Sequence, residues 1–293
     1  MRIFHYLCSV KQQIEYIISQ LRESYSYEES RELAYWILEE IYGLTRAEIL
    51  IGCKDTKKNV NAQANTTFHE HSIENIVEKL KAHMPIQYIF GHTEWMGLDI
   101  LLTTSTLIPR PETAELVEWI CQKCSPDVRA RVLDIGTGSG CIAIALKQRA
   151  PLWQVTGLDI SPDALEIARK NAIRNNVQVN WMQIDILNEE LKGDFDIIVS
   201  NPPYICDSEK IDMEARVLDY EPHSALFVPD NDPLLFYRRI ADLKPSLLFF
   251  EINEAYGEAV CAMMKEKGYT NIELKNDIYD KPRMVFGAIN RQG

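Results

Sequence analysis

A short apolar run that ends in a glycine-rich loop constrains the fold of this chain more than any other segment. The run is Val132-Leu133-Asp134-Ile135, and the loop that follows it is Gly136-Thr137-Gly138-Ser139-Gly140. Glycine permits a sharp turn and lets a ligand approach the backbone closely before a helix begins. Because residues 141–146 are apolar and helix-like, the segment predicts a buried strand, a nucleotide-type binding loop and a helix.

The carboxylate beside this loop narrows the kind of ligand that it suits. Dinucleotide enzymes bind pyrophosphate with a similar glycine pattern, so the glycines alone are a weak signal. Asp134 stands just before the loop, one residue ahead of Ile135. A carboxylate there would repel a pyrophosphate and attract a cation. We therefore expect a cationic ligand at a nucleotide-type site.

Two further predicted strands end in an acid at the position where a parallel strand would end. Residues 154–158 are followed by Asp159, about twenty residues past the glycines, where an acid can bind both ribose hydroxyls. Residues 177–184 are followed by Asp185, which we expect to meet an adenine edge. Taken with Asp134, these acids predict one ligand site at the carboxyl edge of a sheet, although each alone would be typical of an N-cap or a turn.

The segment Asn201-Pro202-Pro203-Tyr204 offers hydrogen-bond acceptors to a planar amine. Proline lacks an N–H and pushes the preceding residue out of the helical region, so the carbonyls are left free. The Asn201 side-chain oxygen and the Pro202 carbonyl could each accept one hydrogen of an NH2 group, while the Tyr204 ring stacks on its plane. Such contacts orient and activate a delocalised nitrogen. The alternative is a strand that ends in a proline-rich turn.

These motifs, with three further segments, resemble a known family. The further segments are Pro85-x-Gln87-Tyr88-x-x-Gly91, Ile108-Pro109-Arg110-Pro111-Glu112-Thr113, and Glu221-Pro222 followed by Ala225-Leu226. Nearly the whole chain resembles the release factor glutamine methyltransferases, called the PrmC or HemK family, within the class I S-adenosylmethionine-dependent methyltransferases. Asn-Pro-Pro-Tyr alone is shared with methyltransferases of adenine and guanine amines, and the segment 108–113 narrows the choice.

The resemblance implies a fold, a cofactor and a substrate. The fold is α/β, a seven-stranded Rossmann-like sheet with a small N-terminal helical bundle. The methionine part of S-adenosylmethionine would lie at residues 136–140, near Asp134 and Asn201, with the ribose at Asp159 and the adenine near Asp185 and Ile186. The methyl acceptor would be the side-chain amide nitrogen of the glutamine in the Gly-Gly-Gln motif of class I peptide release factors. Residues 201–204 would hold this amide for in-line displacement without a metal or a strong general base.

Two positions depart from the family pattern. The family often has glycine in a D-x-x-G-x-x-R segment near the C-terminus, where this chain has Asp280. Other members can carry an aromatic ring beside the adenine, where this chain has Ile186. Neither change touches the expected methyl-transfer centre.

The patterns along the chain predict three segments. Residues 1–85 show apolar residues at helical spacing and a capping box at Thr45-x-x-Glu48, which predicts a helical, substrate-recruiting domain. Its alternative is a helical cap that only stabilises the fold. Residues 86–110 are expected to form a β-hairpin linker, and residues 111–293 the methyltransferase domain.

Strands and helices alternate after Glu112, which predicts a mostly parallel sheet covered on both faces. Its later strands are expected at residues 195–200, 246–251, 272–274 and 284–288. The last two lack a helix between them and should form an antiparallel edge. Asp232-Pro233 is expected to cap the helix before the fifth strand, and Glu251 at that strand's end is either a site residue or an ordinary cap.

Composition limits the partners and the compartment. The chain has 293 residues and a net charge of -12, and its densest basic group is Lys54, Lys57 and Lys58. Stable nucleic-acid binding needs concentrated Lys and Arg, so a basic protein partner is favoured. The seven cysteines show no paired spacing, which predicts reduced thiols and a cytoplasmic protein. The sequence has no apolar run of about eighteen residues, so we expect no membrane-spanning helix. We also expect a monomer. His69 and His71 predict a solvated turn, and no metal is expected.

The sequence leaves open two alternatives to a protein methyltransferase: a nucleic-acid methyltransferase and a non-catalytic scaffold. An amino-methyltransferase acting on adenine or guanine in nucleic acid would use the same Asn-Pro-Pro-Tyr chemistry, but it would need a basic surface or a target-reading domain. A non-catalytic scaffold would not need the combination of Asp134, the glycine loop, Asp159 and Asn201.

Overall fold

The computed structural model describes residues 10–51 and 72–289. The chain divides into two compact units, one ending at Phe90 and the other beginning at Gly91. The first unit is helical, and the second is built on a seven-stranded mixed sheet, which confirms the predicted fold class. The lysines at positions 54, 57 and 58, together with His69 and His71, lie outside the described residues.

The first unit packs short amphipathic helices around one apolar core. Its described helices are α1 (Val10–Leu21), α2 (Tyr27–Tyr42), α3 (Arg46–Ile51), α4 (Ile73–Lys81) and α5 (Ile86–Phe90). Buried side chains of the core include Ile17, Ile37 and Ile76. The predicted capping box is confirmed: Glu48 N donates to Thr45 Oγ1 at 3.3 Å, and Thr45 N donates to the Glu48 carboxylate at 2.8 Å.

The second unit begins with a hairpin and continues with alternating strands and helices. Its strands are β1 (His92–Trp95), β2 (Leu98–Leu101), β3 (Arg131–Ile135), β4 (Gln154–Asp159), β5 (Asn180–Gln183), β6 (Ile197–Ser200), β7 (Ile205–Cys206), β8 (Phe227–Val228), β9 (Leu247–Glu251), β10 (Thr270–Asn276) and β11 (Pro282–Ala288). Its α-helices are α6 (Pro111–Lys123), α7 (Cys141–Arg149), α8 (Pro162–Arg174), α9 (Ala215–Tyr220), α10 (Leu235–Ala241) and α11 (Gly257–Glu266).

The main sheet has the order β10-β11-β9-β6-β3-β4-β5. Strands β5, β4, β3, β6 and β9 are parallel, whereas β11 pairs antiparallel with both β9 and β10. This antiparallel edge is the one predicted from the missing helix between the last two strands. Because parallel strands are buried on both faces, β6 is buried along its whole length, and its one polar residue is Ser200 at its end.

The hairpin β1–β2 is held on helix α8 by hydrogen bonds that include those of a buried asparagine, Asn171. Met96 and Gly97 both have positive φ, 53° and 76°, as a two-residue hairpin turn requires. Asn171 on α8 accepts from Leu101 N at 2.7 Å and donates to Leu101 O at 3.0 Å. The same amide donates to the carbonyl of Ser139 at 2.9 Å. A single side chain therefore joins the hairpin to the glycine loop.

The helix before β9 starts differently from the prediction. Asp232 was expected to cap it, but α10 begins at Leu235, with Leu234 at the N-cap position. The Asp232 carboxylate instead pairs with the guanidinium of Arg238 one turn into the helix. A charged partner within reach competes with the backbone N–H groups for the carboxylate, so the capping prediction was wrong.

Asp280 occupies a backbone conformation that usually favours glycine. Its φ is 61°, in the turn between β10 and β11. Asn276 Nδ2 donates to Asp280 Oδ1 at 2.8 Å, and Asp277 organises the same turn by accepting from the N–H groups of Tyr279 and Lys281. Asp is one of the few side chains that tolerate this region because it can hydrogen-bond locally. The departure from the family glycine is therefore accommodated inside the turn.

We expect Asp280→Ala to lower the free energy of unfolding by about 1 kcal/mol, because alanine has the left-handed strain without the local hydrogen bond. The free energy of unfolding of Asp280→Gly should stay within about 0.5 kcal/mol of that of the unaltered protein. Glycine relieves the backbone strain in the folded state but increases the conformational entropy of the unfolded chain. Urea denaturation measures both, with the exposed Asp127→Ala as the control. Equal stability of the alanine and glycine variants would contradict this explanation.

Candidate active site

The two predicted motifs meet where the strand order reverses. After β3 the chain builds β4 and β5 on one side, then returns to build β6 and β9 on the other. Ligands of open α/β sheets bind outside the carboxyl ends of the strands at such a point. Gly136 follows β3 and Asn201 follows β6, and a Cβ placed on Gly136 would lie 3.9 Å from the carbonyl oxygen of Asn201.

Each glycine of the loop has positive φ, but their surroundings differ. The φ angles are 72° at Gly136, 53° at Gly138 and 82° at Gly140. A Cβ on Gly140 would lie 2.9 Å from the Trp181 ring and 3.0 Å from the Ala168 Cβ, so only glycine fits there. A Cβ on Gly138 would meet nothing within 4 Å among the described residues, so this backbone is open to a ligand. The sequence reasoning missed the packing role of Trp181.

Asp134 is fully buried beneath the loop. Its Oδ2 accepts from Thr137 Oγ1 at 2.5 Å and from Ala143 N at 3.2 Å. No described residue donates a hydrogen bond to its Oδ1. Burial raises the pKa of this carboxyl to about 7, against the lowering effect of the two donors. An unpartnered buried oxygen of this kind suits a cationic donor on a ligand.

Asp159 ends β4 and holds the glycine loop in place. Its Oδ2 accepts from Gly138 N at 2.8 Å, and its Oδ1 accepts from Ser161 N at 2.9 Å. Burial raises the pKa of the carboxyl, while the backbone N–H groups oppose that rise. Each carboxylate oxygen keeps a second lone pair, so hydroxyl donors can still bind. Ser161 also caps α8, with its side chain accepting from Ala164 N at 3.1 Å.

Asp185 follows β5 and serves as a turn cap in this structure. Its Oδ1 accepts from Leu187 N at 2.9 Å and its Oδ2 accepts from Asn188 Nδ2 at 2.7 Å. The bond from Asn188 is the main cause that lowers its pKa. Ile186 is buried, and its carbonyl accepts from Arg239 Nε at 2.7 Å. The adenine contacts expected of Asp185 and Ile186 stay predictions.

The Asn-Pro-Pro-Tyr segment is linked to the end of β9 through a threonine. Asn201 Nδ2 donates to Thr113 Oγ1 at 3.4 Å, and Thr113 Oγ1 donates to Glu251 Oε2 at 2.7 Å. The Tyr204 hydroxyl donates to Glu251 Oε1 at 3.4 Å. Pro202 is buried, and Pro203 and Tyr204 are half-buried. The segment therefore offers an amide oxygen, the Pro202 carbonyl and part of an aromatic ring.

Glu251 is hydrogen-bonded to the candidate site, so it is more than an ordinary strand-end cap. It is 1% exposed, and both of its oxygens accept hydrogen bonds from side chains of the site. Burial raises its pKa to about 7, opposed by the hydroxyl of Thr113 and the charge of Arg283. Sequence reasoning could not assign Thr113 a role, although its place at the end of the segment 108–113 was the available signal.

Arg110 pairs with Glu221, which joins two of the family segments. Arg110 Nη2 lies 2.6 Å from Glu221 Oε1, and the Glu221 side chain is 2% exposed. Trp95 Nε1 donates to the carbonyl of Arg110 at 2.9 Å, so the backbone is held as well. Breaking such a pair strands a buried charge. Arg110 therefore has a structural partner beside the site, which its sequence position alone did not reveal.

Comparison with known proteins decides the family. The family model of the methyltransferase small domain matches residues 113–219, and that of the PrmC N-terminal domain matches residues 12–91. A release factor glutamine methyltransferase of Bacteroides thetaiotaomicron is 43% identical over 278 residues, covering 92% of this chain and 96% of that protein. The chain belongs to the release factor glutamine methyltransferase family.

A second relative supports this membership, and a solved structure shares the fold. The release factor glutamine methyltransferase of Flavobacterium psychrophilum is 40% identical, covering 92% of this chain and 95% of that protein. Among solved structures, the hMettl16 catalytic domain in complex with the MAT2A 3′UTR hairpin 6 has a TM-score of 0.54 at 16% identity, covering 67% of this chain and 77% of that one. At that identity the likeness shows the fold alone.

Family membership confirms the resemblance and the prediction of an enzyme. The chain has the family and the fold of S-adenosylmethionine-dependent methyltransferases. Within the described ranges, no helix is long and apolar enough to cross a membrane. The cytoplasmic location and the monomeric state stay predictions, as does the independence from metal.

Proposed function

We propose that this enzyme transfers a methyl group from S-adenosylmethionine to the side-chain amide nitrogen of the glutamine in the Gly-Gly-Gln motif of class I peptide release factors. The observation that carries the proposal is the position of Asn201 beside the glycine loop, with its amide nitrogen bonded to Thr113. This leaves the amide oxygen of Asn201 to accept a hydrogen from a substrate NH2 group. The names of the relatives supply the substrate class.

The residues at the carboxyl edge of the sheet fit the proposed cofactor. The open backbone of Gly138 suits the methionine part, and the free Oδ1 of Asp134 suits a cationic group. Asp159 keeps lone pairs for the ribose hydroxyls, and the adenine is assigned to the neighbourhood of Asp185 and Ile186. When bound, S-adenosylmethionine supplies an electrophilic methyl group on a positively charged sulfur.

The chain's own residues orient and activate the substrate amide. An amide nitrogen is a weak nucleophile because its lone pair is delocalised. Asn201 Oδ1 and the Pro202 carbonyl each accept one hydrogen of the NH2 group, which raises electron density on the nitrogen and aims its lone pair. The Tyr204 ring stacks on the amide plane, and Pro203 limits the backbone freedom of the segment. No strong base is required, because the nitrogen becomes acidic as it gains the methyl group and can release one proton to water, with neutral S-adenosylhomocysteine as the leaving group.

We assign one role to each of the three predicted segments of the chain. Residues 1–85 recruit the release factor, residues 86–110 form the linker that contains the hairpin β1–β2, and residues 111–293 carry out the transfer. The match of residues 12–91 to the PrmC N-terminal domain supports a dedicated first segment. The net charge of -12 favours a basic protein surface over nucleic acid as the partner.

A methyl-transfer assay with competing acceptors tests this function. Purified enzyme and labelled S-adenosylmethionine are mixed with a class I release factor, with the same factor lacking its Gly-Gly-Gln glutamine, and with total nucleic acid. We expect label on the unaltered factor only, because the acceptor groups suit an amide and the chain is acidic. Label on nucleic acid would instead favour an adenine or guanine amino-methyltransferase.

A further inference from the structure

Two buried side chains, Thr113 and Glu251, link Asn201 to the end of strand β9. Thr113, on the first turn of α6, is 3% exposed, and Glu251 at the end of β9 is 1% exposed. The hydroxyl of Thr113 lies 2.7 Å from Glu251 Oε2 and 3.4 Å from Asn201 Nδ2. We call Thr113 and Glu251 the amide anchor.

When Glu251 is ionised, the chemistry of the anchor fixes the direction of each hydrogen bond. A threonine hydroxyl has one hydrogen, and the short contact gives this hydrogen to the Glu251 carboxylate, which accepts. The oxygen of Thr113 then has only lone pairs left for Asn201. Since lone pairs need a donor, the nitrogen end of the Asn201 amide must face Thr113, and the oxygen end must face away from it.

The orientation of this amide matters because the substrate also presents an NH2 group. With its oxygen toward the substrate, Asn201 accepts a hydrogen. With the amide turned over, two NH2 groups would face each other and no hydrogen bond could form. An isolated asparagine has little preference between the two states, since its oxygen and nitrogen ends have nearly the same size.

We propose that Thr113, itself oriented by Glu251, is a positioning residue that fixes which end of the Asn201 amide meets the substrate. The inference rests on the proposed function, because it assigns the groups behind the acceptor of that same site. Glu251 also positions Tyr204, the ring proposed to stack on the substrate amide, because Glu251 Oε1 accepts from the Tyr204 hydroxyl at 3.4 Å. The Tyr237 hydroxyl donates to the Glu251 carbonyl at 3.3 Å, which steadies the end of β9.

The first test compares Thr113→Val with Thr113→Ser. Valine keeps the shape of threonine but cannot relay the hydrogen bond, whereas serine keeps the hydroxyl. We expect valine to lower kcat roughly 5- to 10-fold, the effect of about one hydrogen bond, with the cofactor Kd unchanged. Serine should restore most of the lost kcat. Thr156→Val in strand β4 is the matched control for a buried threonine-to-valine change and should leave kcat unchanged.

A double-mutant cycle with Asn201→Ala then separates positioning from a general packing effect. If Thr113 acts through Asn201, the valine substitution should cost nothing further once the asparagine side chain is gone. Full additivity of the two losses, or an unchanged kcat in Thr113→Val with an unchanged melting temperature, would overturn the inference. Absence of transfer by the unaltered enzyme would instead count against the proposed function, so the two failures are distinguishable.

Discussion

Replacing Asn201 with alanine is expected to lower kcat about 100- to 1000-fold, the usual cost of removing one preorganised contact to a developing charge. The backbone carbonyl of Asn201 lies beside Gly136 of the glycine loop, and its side-chain nitrogen donates to Thr113. Its contact with the substrate amide strengthens as the nitrogen becomes positive, so the loss falls on the transition state. Single-turnover kinetics at saturating cofactor and release factor measure the effect.

The control for this variant is Asn180→Ala, an exposed asparagine at the start of β5 and so at the opposite edge of the sheet. It should leave kcat unchanged. Titration with S-adenosylhomocysteine gives the cofactor affinity of each variant. If Asn201→Ala weakens cofactor binding as strongly as it lowers kcat, then Asn201 is mainly a cofactor ligand and the activation of the amide must be assigned elsewhere.

Replacing Asp159 with alanine should affect cofactor binding rather than kcat. We expect the cofactor Kd to rise roughly 100-fold. Two charge-assisted hydrogen bonds to the ribose would be lost, together with the bond that holds Gly138 N at 2.8 Å. Both losses act on cofactor binding. At saturating cofactor, kcat should fall far less than it does in Asn201→Ala, because the substrate contacts remain.

Calorimetry with S-adenosylhomocysteine checks the effect of Asp159→Ala. Asp163→Ala is the matched control. Asp163 is an exposed acid in the first turn of α8, four residues after Asp159. Asp159→Asn adds a graded case, because it keeps one side-chain acceptor and should lose less affinity than alanine. An unchanged Kd in Asp159→Ala would exclude the ribose assignment and leave this residue only its role in holding the loop.

The sheet and the acidic edge that carries the site could be predicted from the sequence for a physical reason. Strand periodicity and glycine are local signals, so residues 132–140 and 201–204 could be placed at the ends of strands from the order of the amino acids alone. Parallel strands end at one edge, which brings Asp159 into the same neighbourhood. The missing helix between the last two strands likewise indicates that they pair antiparallel.

Partners that come together only in the folded chain could not be predicted. Thr113 and Glu251 are 138 residues apart, and no local pattern indicates that they share a hydrogen bond. Asp232 shows the converse. Its position before a helix indicated an N-cap, but its carboxylate pairs with the guanidinium of Arg238.

The most direct test of the central claim is to locate the methyl group on a release factor that the enzyme has modified. Tandem mass spectrometry of the peptide carrying the Gly-Gly-Gln motif can assign the methyl group to one residue and, after side-chain fragmentation, to one atom. We predict methylation of the glutamine on its side-chain amide nitrogen and of no other residue. A methyl group on another residue, or on a carboxylate or a ring nitrogen, would contradict the role assigned to Asn201, Pro202 and Tyr204.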